Sequence, residues 1–138
     1  MKTEYSCGAV VYTTINGKRK YVIITSEEGI YGFPKGHIEP GETEIETALR
    51  EIKEETNLDV TLLDGFKMEV EHTFMKQGEE RLKHVTYFVG YYENQEFKPQ
   101  EEEVSKIDLM ELDEAINCFQ YDNVKKVLKK ADEFLNNK

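Results

Sequence analysis

The sequence contains no tryptophan, only two cysteines and only three prolines among its 138 residues. Cys7 and Cys118 lie far apart and near apolar residues, which predicts buried thiols rather than a disulfide or a metal site. No apolar run approaches the length of a membrane span, and the first residues, MKTE, do not begin a signal peptide. These absences argue against a secreted disulfide scaffold and a membrane protein, and they predict a cytoplasmic location.

Basic residues are also scarce, since 18 Lys and Arg stand against 28 Asp and Glu, for a formal net charge of −10. A chain of this charge is poorly suited to long nucleic acid, because nothing replaces the counterions that the phosphates release. Small polyphosphates remain compatible, because the metal ions that accompany them supply positive charge. The length and the 38% of hydrophobic residues predict a single domain over residues 1–138.

Strand and helix patterns are mixed along the chain without an internal repeat. The predicted strands are residues 4–14, 20–25, 60–70 and 83–92, and the predicted helices are residues 43–56, 112–119 and 124–135. An Asn16-Gly17 turn joins the first two strands into a hairpin. The polar residues 75–81 and the acidic residues 93–106 predict irregular segments. The connections are too varied for repeated βαβ units, which favours an α+β fold.

Residues 36–58, GHIEPGETEIETALREIKEETNL, combine a glycine-rich loop with a helix crowded with glutamates. Thr43 and Glu46 have capping-box spacing, which predicts where the helix begins. One side of this helix carries Ile45, Ala48, Leu49, Ile52 and Thr56 and is expected to face the core, while the far side carries Glu51, Glu54 and Glu55. Clustered carboxylates suit hard cations such as Mg²⁺ or Mn²⁺. The alternative is a solvated acidic face, which is common in acidic chains.

The same stretch resembles the signature of the Nudix hydrolases, which runs Gly-x5-Glu-x7-Arg-Glu-apolar-x-Glu-Glu-x-Gly-apolar. The matching residues are Gly36, Glu42, Arg50, Glu51, Ile52, Glu54, Glu55 and Leu58. Asn57 stands where the family has glycine, and asparagine is the next most tolerant residue for a left-handed conformation. The resemblance implies an α/β/α sandwich with a mixed central sheet, and metal-dependent hydrolysis of a pyrophosphate bond.

The resemblance also implies a role for each signature residue. The metal ligands, for Mg²⁺ or Mn²⁺, are Glu51, Glu54, Glu55 and the backbone carbonyl of Lys35, with Glu42 in an outer shell or at an additional ion. Arg50 pairs with the glutamates and orients them, as a planar guanidinium can.

The general base stays open at this level, because Nudix enzymes use either a signature glutamate or an acid from a distant loop. The signature candidates are Glu51 and Glu54. The first loop candidate is Glu103, with Glu101 and Glu102 as rivals. Without the family, three successive glutamates are simply a solvated loop.

The run from Gly32 to Glu42, GFPKGHIEPGE, is similar to the asymmetrical diadenosine tetraphosphate hydrolases, in which PKGH-x-EPGE is typical. This similarity implies a small nucleoside polyphosphate substrate that is cleaved to ATP and AMP. The candidates for phosphate contacts are Lys35 and His37, with Lys83 and His84 on a neighbouring strand. The candidates for an adenine clamp are Phe74, Tyr87 and Phe119, each of which could instead be a core aromatic.

Other substrates stay open for a Nudix pyrophosphohydrolase, namely nucleoside triphosphates, RNA 5′ ends and diphosphoinositol phosphates. The last are dense anions that need several basic residues, which a net charge of −10 disfavours. A different class is a nucleotide-sensing module without catalysis, but such relatives usually lose a signature glutamate and this sequence keeps all of them. The sequence does not distinguish a monomer from a homodimer.

Overall fold

The computed structural model describes residues 2–98 and 104–138, which form eight strands and three helices. The strands are β1 (Lys2–Ile15), β2 (Lys18–Ser26), β3 (Tyr31–Gly32), β4 (Lys35–His37), β5 (Thr61–Leu62), β6 (Met68–Lys76), β7 (Glu79–Tyr91) and β8 (Val104–Met110). The helices are α1 (Glu44–Thr56), α2 (Leu112–Cys118) and α3 (Asp122–Asn136). In these two ranges no helix combines the length and the apolar character that a membrane crossing requires.

The strands form one mixed sheet, which confirms the prediction from the sequence. β1 pairs antiparallel with β2 and parallel with β7. The β1–β2 hairpin turns at Asn16 and Gly17, whose φ values of 52° and 79° suit the predicted Asn-Gly turn. This turn places Tyr12 opposite Tyr21 and so fixes the register of the hairpin.

Side chains alternate along the central strands and build a core on each face of the sheet. On one face, Val10 of β1 packs in a cluster that includes Leu128 of α3. On the other face, Ala9 and Val11 of β1 pack in a cluster that includes Ile52 of α1. Helices therefore cover both faces, and the predicted α/β/α sandwich is confirmed.

The sheet opens on the N-terminal side of Tyr12, where β1 no longer pairs with β2 and the short strand β4 takes the place beside it. A side chain at Gly8 of β1 would overlap the carbonyl oxygen of Pro34 and the Cβ of Lys35, so glycine allows β4 to lie this close. This opening brings the glycine-rich loop against α1.

Three predicted segments in the second half of the sheet are wrong. Residues 60–70 are not one strand, because the chain turns at Asp64 and Gly65 between β5 and β6. Residues 75–81 are not a loop, because β6 and β7 continue to a tight turn at Gln77 and Gly78, both with positive φ. Residues 104–106 are not irregular as predicted, because β8 begins at Val104.

Helix α1 begins and ends where the sequence predicts. Thr43 Oγ1 accepts a hydrogen bond from the backbone N–H of Glu46 at 3.1 Å, and the Glu46 carboxylate accepts one from the backbone N–H of Thr43 at 2.8 Å. Asn57 caps the other end in the left-handed conformation, with φ of 67°. Asparagine thus does there what glycine does in the family signature.

The predicted orientation of α1 is partly wrong. Ala48, Ile52 and Thr56 are buried as predicted. Ile45 and Leu49 are 50% and 36% exposed, whereas Glu51 and Glu55 are only 8% and 5% exposed. The helix is rotated so that two of its acids lie inside the molecule. Hydrophobic periodicity misses this arrangement because it assigns every carboxylate to solvent.

Candidate active site

A cleft of about 1410 Å³ opens where α1, β4, the β6–β7 hairpin and the start of α3 approach one another. Pockets for small ligands usually measure roughly 300–1,000 Å³, so this cleft has room for an elongated molecule. One wall carries acids from α1, and the facing surface of the sheet carries basic and aromatic side chains.

The acids of α1 reach the cleft beside the glycine-rich loop. Glu51 and Glu55 are buried and Glu54 is half-exposed, and all three line the cleft. A side chain at Gly36 would overlap the Glu51 carboxylate, so the glycine makes room for that carboxylate. Burial raises the pKa of Glu51 above its ordinary value, against the opposing charge of Arg50. Burial thus disfavours the negative charge of Glu51 even with the Arg50 guanidinium beside it.

Arg50 binds two of these acids, Glu51 and Glu54, and the loop acid Glu42 with its planar guanidinium. Its Nε donates to Glu42 at 2.6 Å, and its Nη1 donates to Glu51 and to Glu54, each at 3.2 Å. Its Nη2 donates to Glu42 at 3.0 Å and to the carbonyl oxygen of His37 at 3.0 Å. The hydrogen bond to Glu42, above all, raises the pKa of Arg50. One guanidinium thus joins the helix to the glycine-rich loop.

Glu42 lies beside the cleft rather than in its lining. Besides Arg50, its carboxylate accepts hydrogen bonds from the Thr47 hydroxyl at 2.8 Å and from the backbone N–H of Glu39 at 3.0 Å. The Arg50 hydrogen bond comes first among the causes that lower the pKa of Glu42 to about 2. Because three groups donate to it, the Glu42 carboxylate fixes the position of Arg50 relative to the glycine-rich loop.

The donor chemistry of the acid cluster fits a hard divalent cation. Carboxylate oxygens are the ligands that Mg²⁺ and Mn²⁺ prefer, and Gly36 leaves space for Glu51 against the loop backbone. Within residues 2–98 and 104–138, no three acidic, histidine or cysteine side chains are already spaced to enclose a metal. The Arg50 guanidinium donates hydrogen bonds to both Glu51 and Glu54 at 3.2 Å. A metal ion between these two acids would have to displace it.

The surface of the sheet that faces the acids is basic. We call this surface the basic floor, and its members are Lys35, His37, His72, Lys76, Arg81 and Lys83, from β4, β6 and β7. All except Arg81 line the cleft directly, and Arg81 shares their face of β7 by strand alternation from Lys83. The basic floor gathers positive charge in a chain whose net charge is −10.

Crowding within the basic floor changes the protonation of its members. Burial, followed by the neighbouring Lys83 ammonium, lowers the pKa of Lys35 to about 8. Burial, followed by the charges of Lys83 and Lys35, lowers the pKa of His72. Cations in this state are stabilised by an anion placed between them. The floor is therefore suited to phosphate oxygens.

Most of the residues predicted from the sequence meet in this cleft. Those that line it are Lys35, His37, Arg50, Glu51, Glu54, Glu55, Phe74, Lys83 and Tyr87, whereas Glu42, His84 and Phe119 do not. His84 instead contacts Glu69 and Glu71, with its ring nitrogens 3.2 and 2.8 Å from their carboxylates. Glu103, together with Glu101 and Glu102, lies outside the described residues, so the loop base stays a prediction.

The three aromatic candidates differ in their surroundings. Tyr87 and Phe119 are 2% and 3% exposed and pack edge-on against Phe33, with ring centroids 5.7 and 5.2 Å away. Phe74 is half-buried on β6, in the cleft beside His72. Of the three, Phe74 has the exposure that a stacking surface needs.

Several cleft residues were missed at the level of sequence. The main ones are Glu4, Tyr31, His72, Lys76 and Tyr121. The signal for β6 was present, because Val70, His72, Phe74 and Lys76 alternate along one face of that strand. It was missed because the strand was predicted to end at residue 70.

The comparisons with known proteins agree with this geometry. The NUDIX domain model matches residues 6–133. Two asymmetrical bis(5′-nucleosyl)-tetraphosphatases, from Sus scrofa and Rattus norvegicus, are each 28% identical over 142 residues, which cover 94% of this chain and 94% of theirs. The solved structure of a C. elegans Ap4A hydrolase binary complex has a TM-score of 0.87 and 26% identity, over 98% of this chain and 99% of that chain. With the signature acids and their arginine together in one cleft, this match shows that the chain belongs to the Nudix family and is a hydrolase.

Proposed function

We propose that this Nudix hydrolase cleaves diadenosine tetraphosphate asymmetrically, into ATP and AMP. The observation that carries the proposal is the shared cleft, in which the acid cluster of α1 faces the basic floor. A chain of four phosphates offers anionic oxygens to both, directly to the basic floor and through cations to the acids. The names of the relatives from Sus scrofa and Rattus norvegicus support the same substrate.

Hydrolases of this family generally need a divalent metal ion, and we propose Mg²⁺ or Mn²⁺ here. Glu51, Glu54 and Glu55 would hold it, with the carbonyl of Lys35. When bound, such an ion neutralises phosphate charge and lowers the pKa of a water molecule. Glu42 would act from outside this set, because its oxygens are already engaged by Arg50, Thr47 and the backbone of Glu39.

Other side chains of the cleft bind phosphate, orient the acids, act as the general base and contact the adenine. Lys35 and Lys83 bind phosphate oxygens on the basic floor, and His37 contacts them from the loop. Arg50 orients the acids through its fork of hydrogen bonds. Among the signature candidates for the general base we choose Glu54, because it is 42% exposed and so can reach a water molecule. Phe74 provides the apolar face for an adenine.

The direct test incubates the protein with diadenosine tetraphosphate and Mg²⁺ in ¹⁸O-labelled water and identifies the products by mass. ATP with AMP supports asymmetric cleavage, and the labelled product shows which phosphorus the water attacks. ADP as the sole product contradicts it. Turnover confined to nucleoside triphosphates, capped RNA or diphosphoinositol phosphates would replace the substrate and leave the family unchanged.

The choice of base is tested with Glu54→Gln. We expect the kcat for diadenosine tetraphosphate to fall by about 10²–10⁴-fold, the usual contribution of a general base. The thermal midpoint should change little, because the ion pair that Glu54 makes with Arg50 is half-exposed and contributes about 1 kcal/mol at most. Glu133→Gln is the matched control, since Glu133 is an exposed acid on α3 far from the cleft. Nearly full activity of Glu54→Gln would transfer the role to Glu51 or to the loop acid Glu103.

The cellular setting is proposed from the cysteines. Cys7 is buried and Cys118 half-buried, both are free, and burial raises the pKa of Cys7 to about 11. Thiols of this kind suit the reducing cytoplasm. The single domain over residues 1–138 and the choice between monomer and homodimer stay predictions, which limited proteolysis and sedimentation velocity would test.

A further inference from the structure

Glu4 of β1 is an acid in the middle of the basic floor. Among the described residues of β1, β4, β6 and β7, Glu4 is the only carboxylate that lines the cleft. The register places Glu4 opposite Lys83 on the neighbouring strand β7. Its side chain is 17% exposed, so it is held within the cleft surface rather than in bulk water.

Three members of the basic floor converge on this carboxylate. His37 Nε2 lies 3.2 Å from one oxygen, while Lys76 Nζ and Arg81 Nη1 each lie 3.5 Å from the other. Partial burial favours the neutral acid, but the charges of Lys76 and His37 prevail and lower the pKa of Glu4. Glu4 therefore carries its negative charge at neutral pH.

One carboxylate does not saturate the Lys76 and Arg81 cations. Arg81 also approaches Glu79 at 3.6 Å, yet among the described residues its buried Nε has no hydrogen-bond partner. Lys76 is 48% exposed and offers further donors to the cleft. The group is thus an anion-binding arrangement whose resident anion is a side chain of the protein itself.

A chain of direct contacts through His37 and Arg50 connects Glu4 to the acid cluster of α1. Arg50 binds Glu51 and also donates to the carbonyl oxygen of His37 at 3.0 Å. The imidazole of the same His37 contacts Glu4. A phosphate chain that starts at the acid cluster and follows the basic floor past His37 therefore meets the Glu4 carboxylate.

We propose that Glu4 is a specificity-determining residue that limits the length of the phosphate chain the cleft accepts. It repels phosphates added beyond the length that fits, and it occupies Lys76 and Arg81, which would otherwise bind them. This inference rests on the proposed function, because it concerns how many phosphates the same site takes. It predicts that the wild type prefers diadenosine tetraphosphate to diadenosine pentaphosphate, and that Glu4 sets this preference.

The test compares kcat/KM for the two compounds in the wild type, Glu4→Gln and Glu80→Gln. Glutamine keeps the shape of Glu4 and a hydrogen-bond acceptor but removes the charge. We expect the ratio of pentaphosphate to tetraphosphate kcat/KM to rise by about fivefold, the upper end for one exposed ion pair, with the pentaphosphate value itself increasing. Glu80 is an exposed acid on the opposite face of β7, so its variant should keep the wild-type ratio.

The outcomes separate the inference from the proposed function. If the wild type cleaves the tetraphosphate and Glu4→Gln has the wild-type ratio, Glu4 does not set chain length. A ratio that rises only because tetraphosphate cleavage weakens overturns the inference as well. Loss of stability alone would lower both values together and leave their ratio unchanged. A wild type that cleaves neither compound removes the proposed function, and this inference with it.

A second variant identifies the cation that Glu4 restrains. Glu4→Gln combined with Lys76→Gln should return most of the ratio to the wild-type value, because the freed ammonium is then absent. If the double variant keeps the full increase, Lys76 is not the cation that receives the additional phosphate, and the contacts around Glu4 do not act as proposed.

Discussion

Arg50 is hydrogen-bonded to two of the acids of α1 that we propose as metal ligands. Its Nη1 lies 3.2 Å from both Glu51 and Glu54, and its other nitrogens bind Glu42 and the backbone of His37. The arginine therefore has two effects with opposite consequences for a metal ion. We expect it to orient the acids and also to compete with the proposed ion for their oxygens.

We predict that Arg50→Gln binds Mn²⁺ more tightly and catalyses more slowly than the wild type. Removing the guanidinium leaves the acids uncompensated, so the dissociation constant for Mn²⁺ should fall by about fivefold, the scale of one ion pair. The kcat should fall by about 10–100-fold, as is typical when a residue that orients metal ligands is lost. Titration calorimetry with Mn²⁺ and steady-state kinetics measure the two changes.

Lys53→Gln is the control for this substitution. Lys53 is on the same helix and loses the same charge, but it contacts Asp59 and the Asn57 carbonyl at the exposed side. It should leave both Mn²⁺ binding and kcat near wild-type values. Weaker Mn²⁺ binding by Arg50→Gln would mean that orientation of the acids outweighs competition.

At the scale of elements, the parts of the fold set by local chemistry were predictable. The Asn16-Gly17 turn, the capping box at Thr43 and the left-handed cap at Asn57 each depend on a few adjacent residues, and the structure has all three. The joining of the signature acids with Lys35 in one cleft was likewise expected, from the resemblance to the Nudix signature.

The errors lie where tertiary context decides. Among the described strands, β6 pairs with β7 alone and most of its residues are exposed, so the sequence pattern at its end resembles that of a loop. The burial of Glu51 and Glu55 depends on the opening between β1 and β2, which periodicity within α1 cannot reveal. The basic floor depends on the pairing of β6 with β7, so the order of residues along the sequence does not predict it.

The fit between β4 and α1 leads to a prediction about Gly36. A Cβ at this position would overlap the Glu51 carboxylate, and the loop or the helix would have to move. We expect Gly36→Ala to lower the free energy of unfolding by about 1–3 kcal/mol, the usual cost of overpacking. Catalysis should fall further, by about 10²-fold, because the acid is displaced by roughly one ångström. Urea denaturation and kcat measure the two effects.

Gly32→Ala is the matched control for Gly36→Ala. Gly32 also lines the cleft, but a Cβ there would have no atom within 4 Å, and its backbone is not in the left-handed region. This variant should retain both stability and activity. If both alanine variants behaved alike, close approach of Glu51 to the loop would not be what requires glycine.

At the scale of the whole molecule, the two faces of the sheet carry different arrangements of charged side chains. The net charge of −10 coexists with a basic floor on one face, so overall charge does not describe the cleft. On the opposite face, His84 of β7 lies between Glu69 and Glu71 of β6, with Glu44 of α1 and the ring of Tyr5 nearby. That histidine joins the edge strand β6 to the sheet by charge as well as by backbone pairing.

The hydrogen bond to Glu71, above all, raises the pKa of His84 above its ordinary value of 6.5. Because the folded-state pKa is the higher one, the stabilisation is complete below the unfolded-state pKa and is lost as the pH rises through the folded-state pKa. The side chain is 20% exposed, so we expect the ion pairs to contribute about 1 kcal/mol in acid solution.

We therefore predict that His84→Gln lowers the thermal midpoint at pH 5.5 and has little effect at pH 9, which calorimetry at several pH values would show. His72→Gln is the informative comparison, since burial, with the charges of Lys83 and Lys35, lowers the pKa of His72. A lowered folded-state pKa costs stability as the pH falls, so this variant should gain stability in acid. If both variants changed the midpoint equally at every pH, packing rather than charge would explain the effect. Opposite pH dependences would show that the two faces of the sheet have opposite electrostatic environments. The carboxylates around His84 stabilise a positive charge, whereas the lysines around His72 disfavour one and would favour a bound anion.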